Sequence, residues 1–362
     1  MTPLGQILAA RIAADGPMTL ADYMAECLLH PQYGYYATRD PFGAAGDFTT
    51  APEISQMFGE MLGLCLAQAW MDQGAPNPFI LAEIGPGRGT LMADVLRTIR
   101  RVPGMYEAAQ VHLIEASETL GARQADVLKD HRVLRHSHIA ELPRGPFFLL
   151  ANEFFDALPI RQFERQAAGW AERHVGLQKG QLTAGLAPAA PLGALNGRLA
   201  DTRPGDIVEI CPALPVIANE IADRIAKDGG AAIIIDYGGW HSLGDTFQAL
   251  KDHKPTDPFA EPGQADLTAH VDFAALSRAF RAGGAAASAM TAQGVFLERL
   301  GITARAQALA AKLEGAALNS HIAAHRRLTH PGEMGKLFKV IACHPVSVSP
   351  PTGLDFSNAD DP

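Results

Sequence analysis

Phe79-Ile80-Leu81-Ala82-Glu83-Ile84-Gly85-Pro86-Gly87-Arg88-Gly89-Thr90 sets the architecture of this chain. Phe79 to Ile84 is an apolar run of strand length. Three glycines at alternate positions then form a turn, and Thr90 to Arg101 carries Leu91, Val95, Leu96 and Ile99 at helical spacing. Strand, glycine turn and helix in this order are the context of a nucleotide-type site. Glycine adopts positive φ and lets a ligand approach the backbone, and the helix start presents N–H groups without intrahelical partners. Alone, Gly-x-Gly-x-Gly also fits an ordinary tight turn. A dinucleotide turn usually reads Gly-x-Gly-x-x-Gly. Here the third glycine comes one residue earlier, and Glu83 stands two residues before the first. A carboxylate at that point suits the ammonium of a methionine moiety better than a pyrophosphate, which favours S-adenosylmethionine as the ligand of Gly85, Pro86, Gly87, Arg88 and Gly89.

Outward from the turn, strands and helices alternate. Val111 to Ile114, Val133 to Arg135, Phe147 to Ala151 and Ala231 to Asp236 read as strands. Ser117 to about Lys129 and Leu214 to Lys227 read as helices. The alternation predicts an α/β sheet with right-handed crossovers. Residues 1–75 read as a helical region: Leu4, Ile7, Leu8 and Ile12 share a face, Thr19 caps a helix through Leu28, and another runs from about Glu53 to Met71. The core is expected over 76–160 and 205–345, with helical elaboration near its end. Residues 161–204 read as an insertion of antiparallel strands and loop, and 346–362, with Pro, Ser and Asp, as a disordered tail.

Bulk properties narrow the function. The 362 residues carry a net charge of -9, are 48% hydrophobic and 19% charged, and show no basic block. An acidic chain of this kind disfavours nucleic acid as partner and favours a cationic protein segment. No apolar run approaches the roughly 18 residues of a membrane span. Cys27, Cys65, Cys211 and Cys343 are too sparse for a disulfide framework or a metal site. With no targeting sequence read at the N-terminus, the expected compartment is the cytoplasm. His321 and His325 are spaced like ligands on a helix, but Ile322 stands where a zinc protease needs Glu. His136 and His138 have no companion cluster, so no metal is expected.

Further candidate residues fall at predicted strand ends. Glu115 closes the second strand, where an acidic side chain accepts ribose hydroxyls. Asn152-Glu153-Phe154-Phe155-Asp156-Ala157-Leu158-Pro159 follows the fourth strand, at the edge where open α/β sheets place their sites. Gly46 to Gln56 contains Asp47 and Glu53, although Pro52 also suits a plain helix start. Asp236-Tyr237-Gly238-Gly239 ends the fifth strand.

These segments together resemble the MidA-like methyltransferases, relatives of the mitochondrial arginine methyltransferase that assists respiratory complex I assembly. The matching stretches are His30 to Tyr36, Gly46 to Glu60, Glu83 to Thr90, Asn152 to Pro159, Glu209 to Pro212, Asp236 to Gly238, Ala265 to Phe273 and Met334 to Phe338, in collinear order. The resemblance implies a Rossmann-like class I methyltransferase sheet with N-terminal helices and an inserted substrate-side subdomain. It implies S-adenosylmethionine as donor and a protein arginine as acceptor, in the mitochondrial relatives on a complex I subunit. Under it, Glu83, Gly85 to Gly89, Glu115 and Asn152 would hold the cofactor. Glu153, assisted by Asp156, would bind the guanidinium, with Asp47, Glu53, Phe154 and Tyr237 lining the substrate side. Two other readings stand beside it: a dinucleotide-dependent oxidoreductase, and a non-catalytic assembly factor that binds a complex I subunit.

Overall fold

The computed structural model describes residues 1–38 and 49–357, so Asp47 lies outside the described residues. The chain forms two compact units. One comprises Met1–Phe48, Asp156–Leu214 and His241–Asp272, and the other Thr49–Phe155, Pro215–Trp240 and Phe273–Pro362.

The second unit is built on the sheet expected from the alternation. Its strands are Phe79–Ile84 (β1), Ala109–Ile114 (β2), Val133–His136 (β3), Phe147–Asn152 (β4), Gly230–Gly239 (β5) and Phe338–His344 (β6). They lie in the order β3-β2-β1-β4-β5-β6. The first five are parallel and β6 runs antiparallel against β5. This is the doubly wound arrangement, with its strand-order reversal between β1 and β4. Every residue of β1 and β4 is buried, as expected of strands covered on both faces.

Four helices of this unit bear on the site: Ala51–Ile54 (α1), Gln56–Asp72 (α2), Thr90–Ile99 (α3) and Glu118–Val127 (α4). The single helix expected from Glu53 to Met71 is broken at Ser55, whose backbone is extended and whose hydroxyl caps α2 by accepting from Met57 N at 3.2 Å. Helix α2 packs closely on α3. A Cβ at Gly59 would lie 2.5 Å from Asp94 Cβ, so glycine is what permits the approach. The tail expectation is corrected for its described part. Leu354 is buried in the core, Arg299 Nη1 meets Asp355 Oδ2 at 2.7 Å, and Phe356 bridges to Ser288. Leu354, Asp355 and Phe356 each find a partner distant in sequence, which holds a segment whose composition reads as disordered.

The first unit holds the N-terminal helices and the insertion. Helix Pro3–Asp15 buries Leu4, Leu8 and Ile12, while Ile7 is exposed; Thr19 caps Leu20–Leu29 by accepting from Asp22 N. An antiparallel sheet runs in the order Met18–Thr19, Gly169–Gln178, Arg161–Gln166, Ile207–Ile210, with Gln181–Leu186 paired to Gly169–Gln178. A second sheet, from Gln248–Lys251, Lys254–Thr256 and Asp266–Thr268, was not foreseen; its short strands lack a clear alternation. Buried Glu209 ties three segments together. It accepts from Gln162 Nε2 at 2.8 Å, from Thr246 N at 2.9 Å and from the Thr246 hydroxyl. The division therefore differs from the expected boundaries: 49–75 belongs with the core sheet, and the inserted unit also takes in 241–272.

Candidate functional site

The glycine turn joins β1 to α3. Gly85, Gly87 and Gly89 have φ of 66°, 52° and 86°, so all three occupy the left-handed region that favours glycine. Gly85 N donates to Ile114 O at 3.1 Å and Gly89 N to Pro86 O at 2.8 Å, which fixes the turn between the ends of β1 and β2. A Cβ at Gly85 would stand 2.9 Å from Phe154 Cδ2, so the Phe154 ring packs directly on the turn.

Glu83 precedes the turn and is 2% exposed. Burial pushes its carboxyl up to about 8, against a hydrogen bond from the Met92 amide and with a further rise from the nearby Glu115. Its Oε2 is buried with no partner among the described residues. A buried carboxyl oxygen without a donor is costly unless a ligand supplies one.

Glu115 ends β2. It is not a solvated residue opening a helix: Oε1 accepts from Ser117 N at 2.8 Å and Oε2 from Gln124 Nε2 at 3.2 Å. Burial raises its carboxyl, and the donors from Ser117, Gln124 and Ala116 oppose that rise. The Ser117 hydroxyl in turn caps α4 by accepting from Leu120 N.

The loop after β4 begins with Asn152 and Glu153. Glu153 has φ of 53°, a left-handed conformation unusual for a residue with a side chain. Two anchors hold it: Glu153 N donates to Ile235 O at 2.9 Å, and Glu153 Oε1 accepts from Asn152 Nδ2 at 3.0 Å and Ala51 N at 3.2 Å. Asn152 Oδ1 is buried without a partner among the described residues. Asp236, fully buried on β5, accepts from Phe155 N at 3.0 Å through Oδ2 and from Tyr237 N at 2.9 Å through Oδ1. The loop after β4 is thus pinned by β5 from below and by its own amide.

Glu53 on α1 reaches the same turn. Thr90 Oγ1 donates to Glu53 Oε1 at 2.5 Å, and Arg88 Nη1 lies 3.8 Å from Oε2. Tyr237 is half-buried with its ring edge-on to Phe338 at 5.4 Å between centroids. Asp156 belongs to the other unit and is 5% exposed. There the Tyr36 hydroxyl donates to Asp266 Oδ1 at 2.8 Å, and burial, with Asp266 and Asp156 nearby, holds that hydroxyl well above its ordinary range. One unit therefore brings together Glu53, Glu83, the turn, Glu115, Asn152, Glu153, Phe154 and Tyr237 on the carboxyl edge of its sheet.

The comparisons with known proteins place the chain in a family. Residues 61–291 match the family described as "putative S-adenosyl-L-methionine-dependent methyltransferase". The chain belongs to this family. It is 36% identical over 373 residues to the human protein arginine methyltransferase NDUFAF7, mitochondrial, covering 95% of this chain and 84% of the relative. The Drosophila melanogaster homologue is also 36% identical, over 94% of this chain and 85% of its own length. A Burkholderia thailandensis protein crystallised with S-adenosyl-homocysteine superposes with a TM-score of 0.84 at 30% identity, covering 97% of this chain and 93% of that one.

As a methyltransferase of this family, the chain uses S-adenosylmethionine, and the oxidoreductase alternative falls away. The residues present fit such a cofactor. A buried acceptor at Glu83 waits for a donor, the turn takes the left-handed backbone that glycine allows, and a second carboxylate stands just past the end of β2. Among the described residues no group of three or more His, Cys, Asp or Glu is placed to hold a metal. His321 Nε2 bonds Ala306 O and His325 Nε2 bonds Thr303 Oγ1, both at 2.9 Å, so these histidines tie helices together. No helix is long and apolar enough to cross a membrane.

Sequence reasoning missed Gln124 and underread Asp236. Gln124 gave no signal, because a glutamine inside a helix reads as surface. Asp236 was noted only as the end of the fifth strand, although that position next to an apolar run marked a buried carboxylate.

Proposed function

We propose that the chain methylates an arginine of a protein substrate, with a core subunit of respiratory complex I as the acceptor that the family resemblance implies. The observation that carries this reading is the 36% identity, over nearly the whole chain, to relatives named protein arginine methyltransferase. S-adenosylmethionine supplies an electrophilic methyl group on its sulfonium. The turn from Gly85 to Gly89 holds its methionine part, Glu83 takes the ammonium, Glu115 accepts the ribose hydroxyls, and Asn152 lines the site beside them.

A guanidinium is a weak nucleophile because its charge is delocalised and its nitrogens carry protons. We assign Glu153 as the principal carboxylate that binds the guanidinium fork by paired hydrogen bonds and aims one nitrogen. Its left-handed backbone and the donors Asn152 Nδ2 and Ala51 N support a side chain held in one orientation before substrate arrives. Asp156 assists or orders the loop. Phe154 and Tyr237 supply apolar walls that exclude water, and Glu53, bound to Thr90, sets the position of α1 beside the turn. Asp47 is assigned to the substrate side by the resemblance alone. The net charge of -9 suits a cationic partner, and four free cysteines suit a reducing compartment such as the cytoplasm.

The test is transfer of isotope-labelled methyl to an arginine-containing protein acceptor, comparing wild type with Glu153→Gln. The expected result is labelled methylarginine with wild type and a loss of at least a hundredfold in kcat with the variant, while cofactor affinity holds. Full activity in Glu153→Gln overturns the assignment of that residue. Acceptor binding with no methyl transfer favours the non-catalytic assembly factor.

A further inference from the structure

Gln124 lies on α4, is 1% exposed, and is the side chain that touches both halves of the cofactor edge. Its Nε2 donates to Gly87 O at 2.8 Å and to Glu115 Oε2 at 3.2 Å. Both partners are acceptors, so the amide has one workable orientation: nitrogen towards the turn and the carboxylate, oxygen away. That oxygen, Oε1, is buried with no partner among the described residues. An orphaned buried acceptor destabilises a fold, and an apolar side chain of equal length would fill the space without that penalty. The amide is therefore explained by what its nitrogen does.

It does two things. It fixes the Gly87 carbonyl, and because the peptide is planar and trans, the Arg88 N–H must point the opposite way. It also occupies one oxygen of Glu115 while Ser117 N occupies the other, which fixes the carboxylate plane. A carboxylate has about four lone-pair directions. Beyond Ser117, Gln124 and the Ala116 amide it keeps acceptor capacity for a hydroxyl donor.

We propose that Gln124 is a positioning residue that locks the Glu115 carboxylate to the glycine turn, so that the site selects a nucleoside carrying ribose hydroxyls. This rests on the ribose role given to Glu115 above. The experiment measures binding, without turnover, of S-adenosylhomocysteine and its 2′,3′-dideoxyribose analogue by calorimetry. It compares wild type, Gln124→Met, Gln124→Glu and Glu115→Gln. Wild type is expected to prefer the hydroxylated ligand. In Gln124→Met that preference should shrink about tenfold, the scale of a hydrogen bond to a charged group, with affinity for the dideoxy analogue little changed. In Gln124→Glu affinity for S-adenosylhomocysteine should be weak at pH 8 and recover towards pH 5.5, as the new carboxyl gains a proton to donate. Equal weakening of both ligands in Gln124→Met, with the preference kept, would mean mere packing and overturn the proposal. A preference lost in Glu115→Gln but intact in both Gln124 variants also overturns it, leaving the ribose role standing. A preference intact in Glu115→Gln overturns the ribose role and this inference with it.

Discussion

Replacing Glu83 by glutamine keeps its shape and removes its charge, which separates the role of that carboxyl in folding from its role in binding. In the folded chain without cofactor, burial moves the carboxyl from 4.5 up to about 8. The folded value lies above the unfolded one. The contribution to stability is therefore fully present below about pH 4.5 and is lost as pH rises through about 8. A shift of that size corresponds to on the order of 5 kcal/mol once the group is ionised in both states. Glutamine carries no such penalty. Without cofactor, Glu83→Gln should thus match wild type near pH 5 and unfold at a temperature several degrees higher at pH 9. With S-adenosylmethionine the order should reverse. The ligand's ammonium compensates the ionised Glu83 of wild type but finds only a neutral amide in the variant, so the cofactor should raise the midpoint strongly in the first and weakly in the second. Thermal unfolding from pH 5 to pH 9, with and without cofactor, reads all four conditions. Parallel pH profiles for the two proteins, or equal stabilisation by the cofactor, would refute the reasoning that Glu83 is a buried acceptor awaiting a cation.

Two further perturbations probe the scaffold of the site. Gly85→Ala forces a side chain into a φ of 66° and sets its Cβ 2.9 Å from the Phe154 ring; the left-handed backbone alone costs about 1–2 kcal/mol, so both the unfolding midpoint and cofactor affinity should fall, with affinity read by calorimetry. Asp236→Asn turns one acceptor for the Phe155 and Tyr237 amides into a donor; about 2 kcal/mol of stability should be lost by denaturant unfolding, and methyl transfer should fall more than cofactor binding, because the loop after β4 is released while the glycine turn is untouched.

Much of the core was legible because its signals are local. An apolar run ending in Glu83-Ile84-Gly85 states both the strand and the turn, and Ser117 announces the start of α4 by its hydroxyl. What stayed hidden depends on partners distant in sequence. Ser55 breaks the helix expected from Glu53 to Met71, yet no proline or glycine marks it. Part of a tail whose composition argues for disorder is ordered by distant partners: Leu354 joins the core, Thr352 O accepts from Cys65 Sγ on α2, and Gly353 packs against Phe296 of the helix Gln293–Arg299. The strands Gln248–Lys251 and Asp266–Thr268 pair across a gap that periodicity cannot span. At the site, the carboxylates Glu83, Glu115 and Glu153 stand at strand ends and were visible for that reason. The left-handed backbone of Glu153 and the bridge from Gln124 were not, since both arise from how α1, α4 and β5 close around the sheet edge.

The central claim is that this edge delivers a methyl group to a protein arginine. Mass spectrometry of methylarginines in the acceptor, isolated from cells with the wild-type chain, with Glu153→Gln or with neither, tests it most directly. A methylated arginine is expected only with wild type. The same modification with Glu153→Gln, or an acceptor unmethylated in all three, would contradict it.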